Sequence, residues 1–222
     1  MSEPTTVVIM TRAPRPGAVK TRLEPLLGAA GCARLQHALI LHTATTARLA
    51  TPGAVHVAVD PPNAVADLRA LLDPADTVFA QVPGHLGARM AAAADRAYAA
   101  RPGPLVVIGT DVPTLTAARI LDARRLLDAG HDVVIGPALD GGYYLIALAR
   151  PTPEMFDIDP DRWGGPLVLA ATITAAEAAG LRVGLLPALR DLDTPKDAHA
   201  LRADPAMPAA ITALLSPGGV TP

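Results

Sequence analysis

The chain is 222 residues long, half of them hydrophobic but only 3% aromatic, and its formal net charge is −2. That length suits one α/β domain, expected over residues 1–215 with a core of Ala, Val, Leu and Ile, and the composition excludes a disordered chain. The near-neutral balance excludes a broad electrostatic footprint for nucleic acid or an anionic membrane, and the single Cys32 excludes an intramolecular disulfide or a cysteine-based zinc site.

Met1 to Met10 contains no basic region leading into a signal-type apolar core, and no later run reaches the length of a membrane span, so a cytoplasmic protein is expected. Residues 6–10 read as a short apolar strand, followed by a Pro/Gly loop that carries Arg12, Arg15, Lys20 and Arg22. Strand, basic loop, then helix is the layout of a phosphate-binding first crossover. Four cations this close repel unless an anion or carboxylates neutralise them, and a polyphosphate would do so. Gly17 with Lys20-Thr21 has the flavour of a P-loop, but the G-x-x-x-x-G-K spacing is absent, which excludes an ordinary P-loop NTPase. Helical spacing over 28–50 ends at Pro52-Gly53, a strand follows at 55–59, then a helix at 64–72 and a short strand at 78–81. The loop from Pro83 to Met90 runs into an Ala-rich helix, and Gly87 and Arg89 are expected to approach a ligand there.

The run Leu105 to Ile108 is apolar throughout, as in a strand buried on both faces of a parallel sheet, and Gly109-Thr110-Asp111-Val112-Pro113 follows it. Ligands of open α/β sheets bind beyond such strand ends, which places Asp111 where a metal or phosphate would lie. A helix is expected over 117–129, a buried strand at 132–137, and then Asp140-Gly141-Gly142-Tyr143-Tyr144 leading into another strand. Asp140, Gly141, Gly142 and Tyr143 are expected to face an acceptor, since the glycines admit close backbone approach and the tyrosine supplies a hydroxyl and a flat apolar surface. Tyr144, pointing oppositely, belongs to the core. A polar loop around Trp163, a helix at 167–179 and a strand at 181–186 lead to Asp191-Leu192-Asp193. In an extended segment these two carboxylates point the same way, and a divalent cation relieves their repulsion. Oxygen-only ligands favour Mg²⁺ or Mn²⁺ over zinc. Thr194 caps a final helix, and the Pro/Gly-rich stretch 216–222 is expected to be disordered.

Four ordered segments carry a resemblance: Pro16-Gly17-Ala18-Val19-Lys20-Thr21-Arg22-Leu23, Gly109-Thr110-Asp111-Val112-Pro113-Thr114-Leu115, Gly136-Pro137-Ala138-Leu139-Asp140-Gly141-Gly142-Tyr143-Tyr144-Leu145 and Asp191-Leu192-Asp193-Thr194-Pro195. The chain resembles a bacterial transferase family associated with radical-SAM and selenium-domain genes, labelled arsenosugar-biosynthesis glycosyltransferases. More distantly it is similar to 2-phospholactate guanylyltransferase. The resemblance implies a nucleotide-diphospho-sugar transferase (GT-A) fold, a three-layer, doubly wound and mostly parallel twisted sheet. It implies that Asp111, Asp191 and Asp193 hold the metal while Lys20 and Arg22 grip phosphates. His85 and Ala88 replace acids of the family's glycine loop, and Gly165 stands where a small hydroxyl residue is common.

The sequence thus favours nucleotidyl transfer from an NTP to a small anionic or phosphorylated acceptor with release of pyrophosphate, with Lys20 and Asp111 as catalytic residues. Glycosyl transfer from a nucleotide sugar is the alternative, and a non-catalytic nucleotide-binding module is the least favoured reading. The expected partners are a nucleotide or nucleotide sugar and a small-molecule acceptor, without nucleic acid or membrane, and nothing in the sequence fixes an oligomeric state.

Overall fold

The computed structural model describes residues 4–216. The tail expected to be disordered lies, from residue 217 on, outside that range. Aliphatic and β-branched runs form seven strands: β1 (Thr6–Arg12), β2 (Val55–Asp60), β3 (Thr77–Ala80), β4 (Leu105–Ile108), β5 (Val133–Pro137), β6 (Tyr143–Leu148) and β7 (Val183–Leu185). They pair into one sheet in the order β3-β2-β1-β4-β6-β5-β7. All neighbouring pairs are parallel except the two made by β6, which runs antiparallel to β4 and to β5. This is the mostly parallel, doubly wound sheet that the sequence predicts, with one reversed strand inserted by a hairpin.

Among the described residues seven α-helices accompany the strands: α1 (Glu24–Ala50), α2 (Val65–Leu71), α3 (Leu86–Ala100), α4 (Ala117–Asp128), α5 (Val168–Ala178), α6 (Pro195–Arg202) and α7 (Ala209–Leu214). The first begins earlier than the hydrophobic spacing indicates, because Gly28 (φ 66, ψ 166) kinks the helix rather than opening it. None of the described helices is long and apolar enough to cross a membrane.

Because side chains alternate along a strand, each strand feeds both faces of the sheet. Val7 and Ile9 of β1 pack with Ile40 and Ala44 of α1 and with Ile120 and Ala123 of α4. Val8 and Met10 pack on the other face with Met90 and Ala94 of α3 and with Ala176 of α5. A fully buried side chain such as Ile9 or Ile108 contributes about 1.5–3 kcal/mol. A third cluster joins Leu35 and Leu39 of α1 to Leu192, Leu201 of α6 and Ile211 of α7. It clamps the segment before α6 against the start of α1. That segment is closed by a capping box in which Thr194 accepts from the Asp197 amide and the Asp197 carboxylate accepts from the Thr194 amide.

From β1 the chain winds outward through β2 to β3, whereas β4 lies on the other side of β1. The gap between the carboxyl ends of β1 and β4 is therefore the topological switch point, where the flanking loops diverge and leave a crevice.

Candidate active site

A cleft of about 550 Å³ opens at that switch point. Thr11 and Arg12 reach it from the end of β1, Thr110 and Asp111 from the turn after β4, Arg22 from the basic loop and Arg89 from α3. Beside it lies a smaller cavity of about 280 Å³, and Asp111, Asp140 and Asp193 border both.

The acids are brought together by backbone as well as side chains. Leu192 is fully buried, so its neighbours Asp191 and Asp193 are left on the side away from the core, and its N–H donates to the Asp111 carbonyl at 2.8 Å. The Lys20 ammonium donates to the Asp111 carboxylate, to Asp193 Oδ1 at 2.9 Å and to the Leu192 carbonyl at 3.0 Å. These three bonds use all of its donors. Lys20 therefore does not extend toward a phosphate as expected from the sequence. It binds two of the acids instead, because a buried ammonium needs compensation from every side. Among the described residues Lys20 is the only non-glycine with positive φ (51°), a sparsely populated conformation that the three bonds hold in place. Burial pushes its pKa down, but Asp111 and Asp193 outweigh this and hold it above the ordinary lysine value.

Asp191 is pushed up to about 7, first by burial and then by Asp140, Asp111 and Asp193, with Lys20 acting the other way. Its Oδ2 is buried without a hydrogen-bond partner among the described residues. Among the described residues no three His, Cys, Asp or Glu side chains are gathered as a ready-made metal site, and it is the ammonium that Asp111 and Asp193 share. An all-oxygen donor set and an unpaired buried carboxylate oxygen close to Asp111, Asp140 and Asp193 nevertheless suit a hard divalent cation.

The basic loop divides. Arg12 and Arg22 are exposed and line the cleft, whereas Arg15 donates from Nη2 to Asn63 Oδ1 at 2.9 Å and does not line it. Gly17 (φ 74) sits on an exposed turn outside the cleft lining, where its positive φ serves the chain reversal. Arg89 lines the cleft, braced by Nε on the Gly84 carbonyl at 2.8 Å and by Nη1 on Asp60 at 3.2 Å. Gly87 does not line it. A Cβ there would collide with the Phe156 carbonyl and the Trp163 ring, so this glycine exists for packing.

In the turn between β5 and β6, Asp140 Oδ1 accepts from the Gly142 amide at 2.9 Å. Gly142 and Tyr143 line the smaller cavity, but Gly141 does not; a Cβ on it would overlap the Pro166 carbonyl. Tyr144 is buried, as its alternation predicts, and its hydroxyl donates to the Pro187 carbonyl at 3.1 Å. Gly141→Ala combines that overlap with a φ of 95°, and is expected to destabilise the protein by roughly 2–4 kcal/mol, read as a lower urea midpoint. A midpoint within error of wild type would show that the 166 backbone yields freely.

Two cleft residues were not singled out from the sequence. Gln36 is buried and donates from Nε2 to Thr11 Oγ1 at 3.2 Å and to Thr110 Oγ1 at 3.1 Å, tying the β1 and β4 ends together. Gln81 donates to the Thr11 and Ala58 carbonyls at 3.0 and 2.9 Å. A glutamine on the apolar stripe of α1, and one directly after β3, are the signals that could have found them. Trp163 also lines the smaller cavity, meeting Tyr143 edge to face at 6.5 Å and 79°.

Solved structures share this architecture. A "putative nucleotide-diphospho-sugar transferase" from Desulfovibrio desulfuricans G20 is 31% identical, with a TM-score of 0.84 over 97% of this chain and 94% of that one. CMP:2-keto-3-deoxy-manno-octonic acid synthetase complexed with CTP is 15% identical, with a TM-score of 0.53 over 90% of this chain and 97% of its own. Rv0371c from Mycobacterium tuberculosis H37Rv, complexed with manganese, is 19% identical, with a TM-score of 0.51 over 90% and 98%. No curated protein matches the chain. The bacterial family described as "Uncharacterized protein conserved in bacteria (DUF2064)" matches residues 43–164, more than half of the sequence and including the β4 to Asp111 turn, the Asp140 turn and Trp163. The chain belongs to this DUF2064 family, within the nucleotide-diphospho-sugar transferase fold.

Proposed function

We propose that the protein is a metal-dependent, nucleotide-using transferase working within one domain. The observation that carries this reading is a cation-lined cleft at the switch point of the sheet, bordered by a cluster of carboxylates. Arg12, Arg22 and Arg89 meet the phosphates of the nucleotide, while Lys20 fixes Asp111 and Asp193 in position. Asp111, Asp191 and Asp193 would hold Mg²⁺ or Mn²⁺, which when bound supplies charge neutralisation at the reacting centre. Two proteins of this fold, one complexed with CTP and one with manganese, agree with such ligands.

Nucleotidyl transfer is the reading favoured here. An acceptor oxygen bonds to the α-phosphorus of an NTP, the bond to the bridging oxygen breaks, pyrophosphate leaves, and the acceptor proton passes to a carboxylate or solvent. The arginines stabilise the charge that gathers on the departing pyrophosphate. Glycosyl transfer is the second reading, favoured by the naming of the 31% identical protein and by the loss of Arg15 and Lys20 from the phosphate-facing set. Incubation in Mg²⁺ with each NTP and with nucleotide sugars, followed by phosphorus NMR, separates them. Pyrophosphate from an NTP is the expected product. Nucleoside diphosphate from a nucleotide sugar would install the second reading, and failure to bind or turn over either class would remove both.

A further inference from the structure

The two cavities meet at the same carboxylates but differ in chemistry. Arg12, Lys20, Arg22 and Arg89 all line the large cleft. Among the described residues the smaller cavity is bordered by Asp111, Asp140, Asp191 and Asp193 and by no lysine, arginine or histidine. Apart from these acids its wall is mainly apolar and aromatic, with Met90 at one side and the Tyr143–Trp163 pair at another. Its volume of about 280 Å³ is at the small end of ligand cavities, enough for one or two rings.

We infer that this cavity receives the acceptor, and that the acceptor is a small molecule without negative charge, carrying a flat apolar part and a hydroxyl or amine. The assignment rests on the transferase reading above and replaces the anionic acceptor expected from the sequence. The flat part lies against Tyr143 and Trp163, where apolar burial and ring geometry reward it. The hydroxyl or amine is drawn to the carboxylates as a donor. An anion entering here meets four acids in a partly desolvated space with no cation on the wall, and like charges so placed are strongly discriminated against. A divalent cation together with Lys20 offsets at most three of the four carboxylate charges and leaves no net positive charge to hold an anion. The nucleotide phosphates face the opposite balance in the large cleft, so charge alone sorts the two substrates into their two cavities.

Trp163 is the only tryptophan in the chain, so its fluorescence reports occupancy of this cavity. Phenyl β-D-glucoside, benzylamine and phenyl phosphate share the ring and differ in charge. Titrated in Mg²⁺ buffer, the first two are expected to shift Trp163 emission saturably, with phenyl phosphate binding at least about tenfold more weakly. Leu86, partly exposed where the cavities join, allows a second test. Leu86→Arg adds a cation at the entrance and should tighten phenyl phosphate while weakening benzylamine. Equal or tighter binding of phenyl phosphate to the wild type, no response to any probe, or an unchanged ratio of phenyl phosphate to benzylamine affinity in Leu86→Arg would each overturn the assignment. Calorimetric titration of the same protein with NTPs keeps the two claims apart. Nucleotide binding without discrimination among the probes removes the acceptor class alone, whereas discrimination without nucleotide binding removes the transferase reading and leaves the ligand class of the cavity standing.

Discussion

Asp111→Asn is expected to lower kcat/KM by about a thousandfold while leaving the fold in place. The substitution keeps the size of the side chain and removes the charge that the reaction centre needs. It spares the Asp111 backbone carbonyl, which accepts the Leu192 amide at 2.8 Å and ties the two acid segments together. Lys20 retains Asp193 and the Leu192 carbonyl as partners, and the Asp111 side chain is 49% exposed, so its amide replacement stays hydrated. The stability loss is therefore small, roughly 1 kcal/mol. Turnover in Mg²⁺ measured beside thermal unfolding checks both halves. Unchanged turnover, or full activity of the wild type in excess chelator, would rule out a metal held by this acid.

Lys20→Met should have two opposite consequences. Among the described residues the ammonium is the only cation bonded to Asp111 and Asp193, and its side chain is 5% exposed. Removing it leaves neighbouring carboxylates to repel each other and the Leu192 carbonyl without its side-chain donor, a loss of about 2 kcal/mol once the exposure of the acids is discounted. The same removal takes away the cation that competes with a divalent ion for those oxygens, so Mn²⁺ should bind the nucleotide-free variant about tenfold more tightly than wild type. Differential scanning calorimetry with and without Mn²⁺ reads both. The variant is expected to melt lower without metal and to gain more from it. Equal Mn²⁺ affinity in the two proteins would show that Lys20 and the metal do not share these ligands.

The sheet was legible because burial on both faces leaves a plain trace in a sequence. Leu105 to Ile108 contains no polar residue, and the acid that follows it falls where parallel strands deliver their ligands. Asp191 and Asp193 were legible through alternation, with buried Leu192 between them as the pattern requires. Long-range pairing is what sequence spacing does not carry. Asn63 takes Arg15 out of the cleft from 48 positions away, and Lys20 turns to acids 91 and 173 positions away, which no local count of cations reveals. Gly87 and Gly141 read as ligand-facing glycines, yet both are demanded by tertiary neighbours, Trp163 and Pro166, whose approach depends on the folded packing. Gln36 and Gln81 escaped for a related reason: their positions on the apolar stripe of α1 and directly after β3 hint at burial, but the distant carbonyls and hydroxyls that their amides satisfy are not visible in the sequence.

The reversed strand β6 has a bearing on how such a protein changes its task. Because β6 enters the sheet from the opposite direction, its beginning rather than its end meets the ligand edge, and the hairpin turn at 138–142 borders the smaller cavity without belonging to either parallel crossover that builds the cleft. Residues in this turn can be exchanged, Gly141 excepted, without shifting the register of β1 against β4. On the proposed reading, the acceptor side is thus mutable apart from the nucleotide side, except at Asp140, which borders both cavities. On that reading, a library confined to Ala138 and Gly142, which border the smaller cavity and not the large cleft, would be the shortest route to a changed acceptor with an unchanged nucleotide, and natural divergence would find the same route open.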